Sequence, residues 1–103
     1  MKYERTERFK RDYRKLPEEQ REEFKRIVLG YFQPALEGRE SDPGKCWPPA
    51  LRVKGVEGAP GVWEMTWSFT DPEGRATWEW IKIDGETAIR WRRVGSHAIF
   101  GEP

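Results

Sequence analysis

Histidine and cysteine are nearly missing from this chain, which has one of each, His97 and Cys46. A lone cysteine excludes a disulfide framework, and two such residues are too few for a structural zinc site, so neither metal nor cofactor is expected. No sign of charge dominates. Nineteen basic against eighteen acidic residues leave +1 at pH 7, which excludes a global field for polyanions. No apolar run approaches membrane length, and the opening MKYERTERF holds no apolar signal region. The expected setting is reducing and cytoplasmic, without membrane contact.

Aromatic residues are plentiful instead, 14% of the chain with six tryptophans. Their large apolar surfaces compensate for few aliphatic residues in a core. A chain of 103 residues fits one domain, 1–103. Charge is uneven along it: residues 1–40 carry net +2, 41–86 net −3, and 87–103 net +2. Nucleic-acid binding would therefore need a local patch.

A short strand is predicted at 2–5. Thr6 is placed to cap a helix over 7–15, whose Phe9, Tyr13 and Leu16 form one stripe. Leu16-Pro17 ends it, and Pro17 with Glu18 and Glu19 opens a second helix. The buried face of that helix is Phe24, Ile27, Val28, Tyr31 and Phe32, and Pro34 kinks or ends it. Residues 37–61 read as a loop with one short extended piece around Leu51–Lys54, and Trp47 there as the exposed tryptophan. From Val62 the period becomes two, with a turn at TDPEG (70–74), a strand over 75–83, Asp84-Gly85 as a two-residue hairpin loop, and a strand over 86–94.

The hairpin loop sets a register: Ile83 faces Glu86, Trp80 faces Ile89, Glu79 faces Arg90 and Trp78 faces Trp91. Pairing Trp67 with Trp78 keeps the indoles together in the preceding hairpin. One face then carries Trp63, Met65, Trp67, Phe69, Trp78, Trp80, Ile89 and Trp91, and the helix hairpin must cover it. The other face carries Glu64, Thr66, Ser68, Arg75, Thr77, Glu79, Arg90 and Arg92, a polar platform with His97 at its rim. The expected class is α+β, a helix hairpin on one face of a small antiparallel sheet.

The element order and three stretches, "TERFKRDYRKLPEEQREEF", "GVWEMTWSF" and "RRVGSHAIFG", resemble the RelE/ParE toxin superfamily. The second stretch is similar to the HigB-like branch and the third to the YafQ-like branch, where a histidine in a G-x-H context is catalytic. The resemblance implies a toxin of a toxin–antitoxin pair that cleaves mRNA in the ribosome, with an antitoxin, the ribosome and mRNA as partners. It implies catalysis by His97 with Arg92 and Glu64, Glu79 being the other carboxylate within reach of the role. Arg75, Arg90 and Lys54 become the substrate-binding residues. The sequence departs from the family pattern, and the strongly basic balance of its ribosome-binding members is absent. The additional histidines of YafQ-like sites are missing, and Glu64 and Thr66 stand where RelE has basic residues.

Plainer readings stand beside these. His97 also fits a surface residue at a strand end. Glu79 and Arg90 fit a cross-strand ion pair on a solvated face. The strict alternation of the tryptophans says core rather than base stacking, and the basic residues of the first helix fit a solvated surface. A non-catalytic protein of this fold, inhibiting a topoisomerase, acting as a binding module or carried by a phage, is the rival function.

Overall fold

The computed structural model describes residues 3–41, 46–69 and 73–103. The chain runs from strand β1 (Tyr3–Arg5) through helices α1 (Glu7–Lys15) and α2 (Glu18–Ile27). A π-helical turn, Val28–Phe32, joins α2 to α3 (Gln33–Ser41). A 3₁₀ turn at Pro49–Leu51 precedes β2 (Lys54–Gly55), β3 (Val62–Ser68), β4 (Gly74–Ile83) and β5 (Glu86–Ser96). A last 3₁₀ turn covers His97–Gly101. The predicted turn at 70–74 lies mostly outside the described residues.

Thr6 caps α1 as expected. Its Oγ1 accepts from Phe9 N at 3.1 Å and donates to Arg92 O at 2.8 Å, so one hydroxyl starts the helix and ties it to the sheet. Leu16 is extended before Pro17, and the α1–α2 hairpin follows.

The second helix does not end at Pro34. Gln33 N bonds to Val28 O across the π-turn, so the α-ladder is already interrupted where proline's missing N–H falls. The helical course continues to Ser41, which corrects the expected loop from residue 37. Trp47, read as exposed, instead stacks on Phe32 with ring centres 5.2 Å apart and meets Trp78 edge-on, with the Arg39 guanidinium 5.0 Å from its ring centre. Leu51 is fully buried in the same region.

The sheet is five-stranded and mixed, in the order β1-β5-β4-β3-β2. It is not purely antiparallel, because β1 pairs parallel with β5. Along β4–β5 the register derived from Asp84-Gly85 holds at Ile83↔Glu86, Trp80↔Ile89, Glu79↔Arg90 and Trp78↔Trp91. A bulge then inserts Arg92, so that Thr77 faces Arg93. In β3–β4 it is Trp63, not Trp67, that faces Trp78. The slip is four residues, an even number, so the side chains from Trp63 to Trp67 keep their expected faces.

The core lies between the helices and that face: Phe9, Phe24, Ile27, Phe32 and Leu36 against Met65, Trp67, Trp78, Ile89 and Trp91. Phe9, Phe24 and Trp91 meet with ring centres 5.5–6.0 Å apart. Trp63 and Trp80 pack at its margin. Phe69 leaves the stripe. A bulge at Trp67 and the end of β3 at Ser68 put it outside the sheet, 46% exposed.

Candidate functional site

The outer face of the sheet is built in rows, because hydrogen-bonded neighbours on adjacent strands share a face. Glu4, Arg90 and Glu79 form one row across β1, β5 and β4. Lys54, Glu64, Thr77 and Arg93 form the next, with the bulged Arg92 beside them. Thr66, Arg75 and Gly95 form the third. Four of the six residues singled out from sequence, Arg90, Arg92, Glu64 and Lys54, thus fall in two adjoining rows, and Arg75 in the third.

Every guanidinium singled out in these rows meets a carboxylate. Glu79 bridges two of them, taking Arg90 Nη1 on Oε1 at 3.0 Å and Arg92 Nη1 on Oε2 at 3.1 Å. Glu4 takes a second edge of Arg90 at 3.0–3.1 Å. Hydrogen bonds to Glu79 and then Glu4 raise the Arg90 pKa further above its ordinary value, so this group stays charged. Arg75 donates to Thr66 Oγ1 at 2.8 Å and pairs with Glu73 at 2.7 Å, where Arg52 also binds at 3.0 Å. The hydrogen bond from Arg75, foremost among its causes, holds the Glu73 carboxyl below its ordinary range. Glu64 is 9% exposed and its carboxylate lies 4.0 Å from Lys54.

The centre of the face is covered. After β5 the chain turns back, with Ser96 Oγ accepting from Ala98 N at 3.3 Å, and buries Ile99. A side chain at Gly95 would meet Ile99 Cγ2 at 3.0 Å, so this segment lies directly on the outer row. Pro103 O then accepts from Thr77 Oγ1 at 3.0 Å and from Arg92 Nε at 3.2 Å. Glu102 O accepts from Arg93 Nη1 at 3.0 Å. Thr77 and Thr66 are buried to 0% and 1% exposure, although both were read as part of an open platform.

His97 opens the last 3₁₀ turn and is exposed. Its ring meets Phe100 edge-on with centres 5.0 Å apart. It follows Ser96, which faces Gly74, so it stands beyond the third row rather than among the paired arginines. The imidazole is accessible, and no hydrogen bond in the structure joins it to Glu64 or Glu79.

The helix side carries an apolar groove of about 390 Å³ along β1, lined among others by Tyr3, Phe9, Tyr13, Val28, Leu29 and Trp91, with Arg5 and Lys25 at its margin. Tyr3 and Leu29 are 59% and 65% exposed. Among the described residues no three His, Cys, Asp or Glu side chains cluster as metal ligands, and no helix is long and apolar enough to cross a membrane.

Sequence reasoning missed Thr77 as a donor at the centre of the face, Arg93 as its neighbour, and the returning segment above both. Two signals were available: Ser96 in position to cap a turn, and the apolar pair Ile99-Phe100, which needs cover.

No protein-family model matches the sequence, and no curated protein matches it. Two solved structures do share the fold. A chain of the intact E. coli RelBE toxin–antitoxin complex is 19% identical, with a TM-score of 0.52 over 91% of this chain and 93% of that one. The YoeB/ParE toxin from Agrobacterium tumefaciens is 14% identical, with a TM-score of 0.52 over 94% of this chain and 99% of that one.

Proposed function

We propose that this chain, built on the RelE/ParE toxin fold, is the toxin of a toxin–antitoxin pair and cleaves mRNA in the ribosome on the outer face of its sheet. The observation that carries this reading is the placement of Arg75, Arg90 and Arg92 on one sheet face, with carboxylates between them and an exposed imidazole at the rim. Cleavage by a 2′-hydroxyl needs a base for that hydroxyl, an acid for the leaving oxygen and positive charge for the phosphorane. His97 takes one of the proton-transfer roles and Glu64 the other. Arg92 faces the developing charge, and Arg75, Arg90 and Lys54 hold flanking phosphates. Substrate phosphates then replace internal carboxylates on the guanidiniums.

The antitoxin is assigned to the other side of the molecule. The groove along β1 exposes apolar surface beside an edge strand, and Arg5 and Lys25 favour an acidic, amphipathic partner segment.

Induced expression of the wild type and of His97→Ala in a bacterial host tests the reading. Growth arrest with mRNA cleavage, abolished by the substitution, supports it. Arrest that survives the substitution supports the second reading, a non-catalytic toxin that binds a protein such as a topoisomerase. One observation favours that alternative: Glu79 and Glu4 already neutralise Arg90 and Arg92.

A further inference from the structure

We infer that the slot beneath the α1–α2 corner is a nucleobase pocket beside His97, and that Glu23 selects guanine there. The inference rests on the proposed function in one respect, that single-stranded RNA reaches His97. That reading assigns places to phosphates only, and this one assigns a place to a base.

Two layers change character together at this end of the molecule. On the sheet, Ser68, Gly74 and Ser96 pair across β3, β4 and β5. Gly74 and Ser96 lie two residues beyond the core residues Ala76 and Val94, so this row faces the helices. An added Cβ on Gly74 would lie 2.5 Å from the Trp67 indole, so the floor here has to stay open. On the helix, α2 buries Phe24 and Ile27, and Gln20 and Glu23 continue that face one turn earlier. Where the core would continue with apolar side chains, the sheet carries small residues and the helix polar ones. Between them lies a cavity of about 510 Å³, with Lys15, Gln20, Glu23, Trp67, Ser68 and Ser96 in its lining.

His97 follows Ser96 directly, so a nucleotide at the imidazole has this slot within reach. The outer side is closed to its base, because Ile99 lies against Gly95 and Pro103 lies over Thr77. A base beside His97 therefore turns inward.

The lining favours one base. Glu23 is half-buried, and its ion pair with Arg26 is long at 3.9 Å, with the arginine side chain 64% exposed. Both carboxylate oxygens can thus meet a ligand. Glu73, also in the lining, is taken by Arg75 at 2.7 Å and by Arg52 at 3.0 Å. Glu19 stands exposed at the rim, with Lys15 of opposite charge in the same lining. On its Watson–Crick edge guanine presents two adjacent donors, N1–H and N2–H, which one carboxylate accepts side by side. Its O6 accepts from the Gln20 amide or the Lys15 ammonium. On the same edge adenine, cytosine and uracil each place an acceptor beside the donor, against the second carboxylate oxygen.

The test measures binding of short oligodeoxyuridines that carry one guanine, one hypoxanthine or one adenine, the deoxy sugars preventing cleavage. Hypoxanthine lacks only the N2 amine. The wild type should prefer guanine to either by about tenfold, the effect of one lost hydrogen bond to a charged acceptor. Amide NMR should show the guanine oligomer perturbing Gln20, Glu23, Gly74 and Ser96. Glu23→Gln, which keeps the shape and the helix, should abolish the preference. No binding, equal affinity for the three oligomers, or a preference that survives Glu23→Gln overturns the assignment, as does guanine binding that leaves the slot unperturbed. The comparison of guanine with hypoxanthine needs the wild type alone, so it decides even if the variant fails to fold. Message cut by the wild type without regard to guanine counts against this inference and leaves the proposed function. Guanine held in the slot by a protein that cuts no message counts against the proposed function and leaves the pocket.

Discussion

Asp12 on α1 grips Arg93 on β5 with both carboxylate oxygens. Oδ2 takes Nε at 2.6 Å, Oδ1 takes Nη2 at 3.2 Å, and Val94 N adds a third bond to Oδ2 at 3.3 Å. Both side chains are only 16–17% exposed. This pair fastens the helix hairpin to the sheet at the bulge, where the ladder is interrupted. Removing one member leaves a largely buried charge without its partner, so Asp12→Ala should cost about 3 kcal/mol. Replacing both, Asp12→Leu with Arg93→Met, should recover most of that, because well-packed apolar groups avoid the desolvation penalty. Urea midpoints check this, and an unchanged midpoint for Asp12→Ala would show that the pair is not buried in solution.

Gly74 stands against the indole of Trp67, where an added Cβ would lie 2.5 Å from Cε2. The ring cannot retreat easily: it is 1% exposed, and its Nε1 donates to Arg75 O at 2.9 Å. Gly74→Ala should therefore destabilise by about 1–3 kcal/mol through overpacking. Gly95→Ala meets only the end of Ile99 at 3.0 Å and should cost less. Thermal midpoints of the two variants should fall in that order, and the reverse order would refute the assigned contact.

The Glu73 carboxyl is held below its ordinary value of 4.5, by the hydrogen bond from Arg75 first and the charges of Arg52 and Arg75 after it. A depressed carboxylate pKa in the folded state means that the unfolded chain binds more protons. Its contribution is present above the ordinary value and is lost as pH falls through the folded one. Stability should therefore fall on acidification below 4.5, and Glu73→Gln should flatten that part of the profile. Urea midpoints measured above and below this pH give the answer. Parallel curves for the two proteins would remove Glu73 from the account.

Glu79 neutralises Arg90 and Arg92 together. Glu79→Gln should free Arg92 for phosphate, Arg90 staying paired with Glu4, and tighten binding of a single-stranded RNA oligonucleotide. One freed cation steepens the dependence of log affinity on log salt by about 0.7. A slope equal to that of the wild type would mean that RNA does not use Arg92.

Much of the sheet was legible because its signals are local. The alternation from Trp63 to Trp67 assigned the faces, and Asp84-Gly85 set the β4–β5 register as far as Trp91. Beyond that point Arg92 is an extra residue, and no letter in the run RWRRV marks it as a bulge. The β3–β4 register slipped because its connection, unlike Asp84-Gly85, is not a two-residue loop with a fixed pairing rule. Pro34 reads as a kink or an end of the helix, and the π-turn before it lets the helical course continue. Of the site, Arg75, Arg90, Arg92 and Glu79 could be placed from strand parity alone, but Glu4 and Glu73, on β1 and just before β4, could not. Ser96 and Ile99-Phe100 signal that the chain turns back, but the docking of the segment over Thr77 was not legible, because it depends on backbone oxygens, which carry no sequence signature.

The most direct measurement adds the purified protein to ribosomes halted on a defined mRNA and maps new ends by primer extension, beside His97→Ala and Arg92→Ala. The account predicts cuts in the message with wild type, bearing 2′,3′-cyclic phosphate ends, and a large loss of cutting with either variant. Intact message with the wild-type protein, or cuts of equal yield from all three proteins, would contradict it.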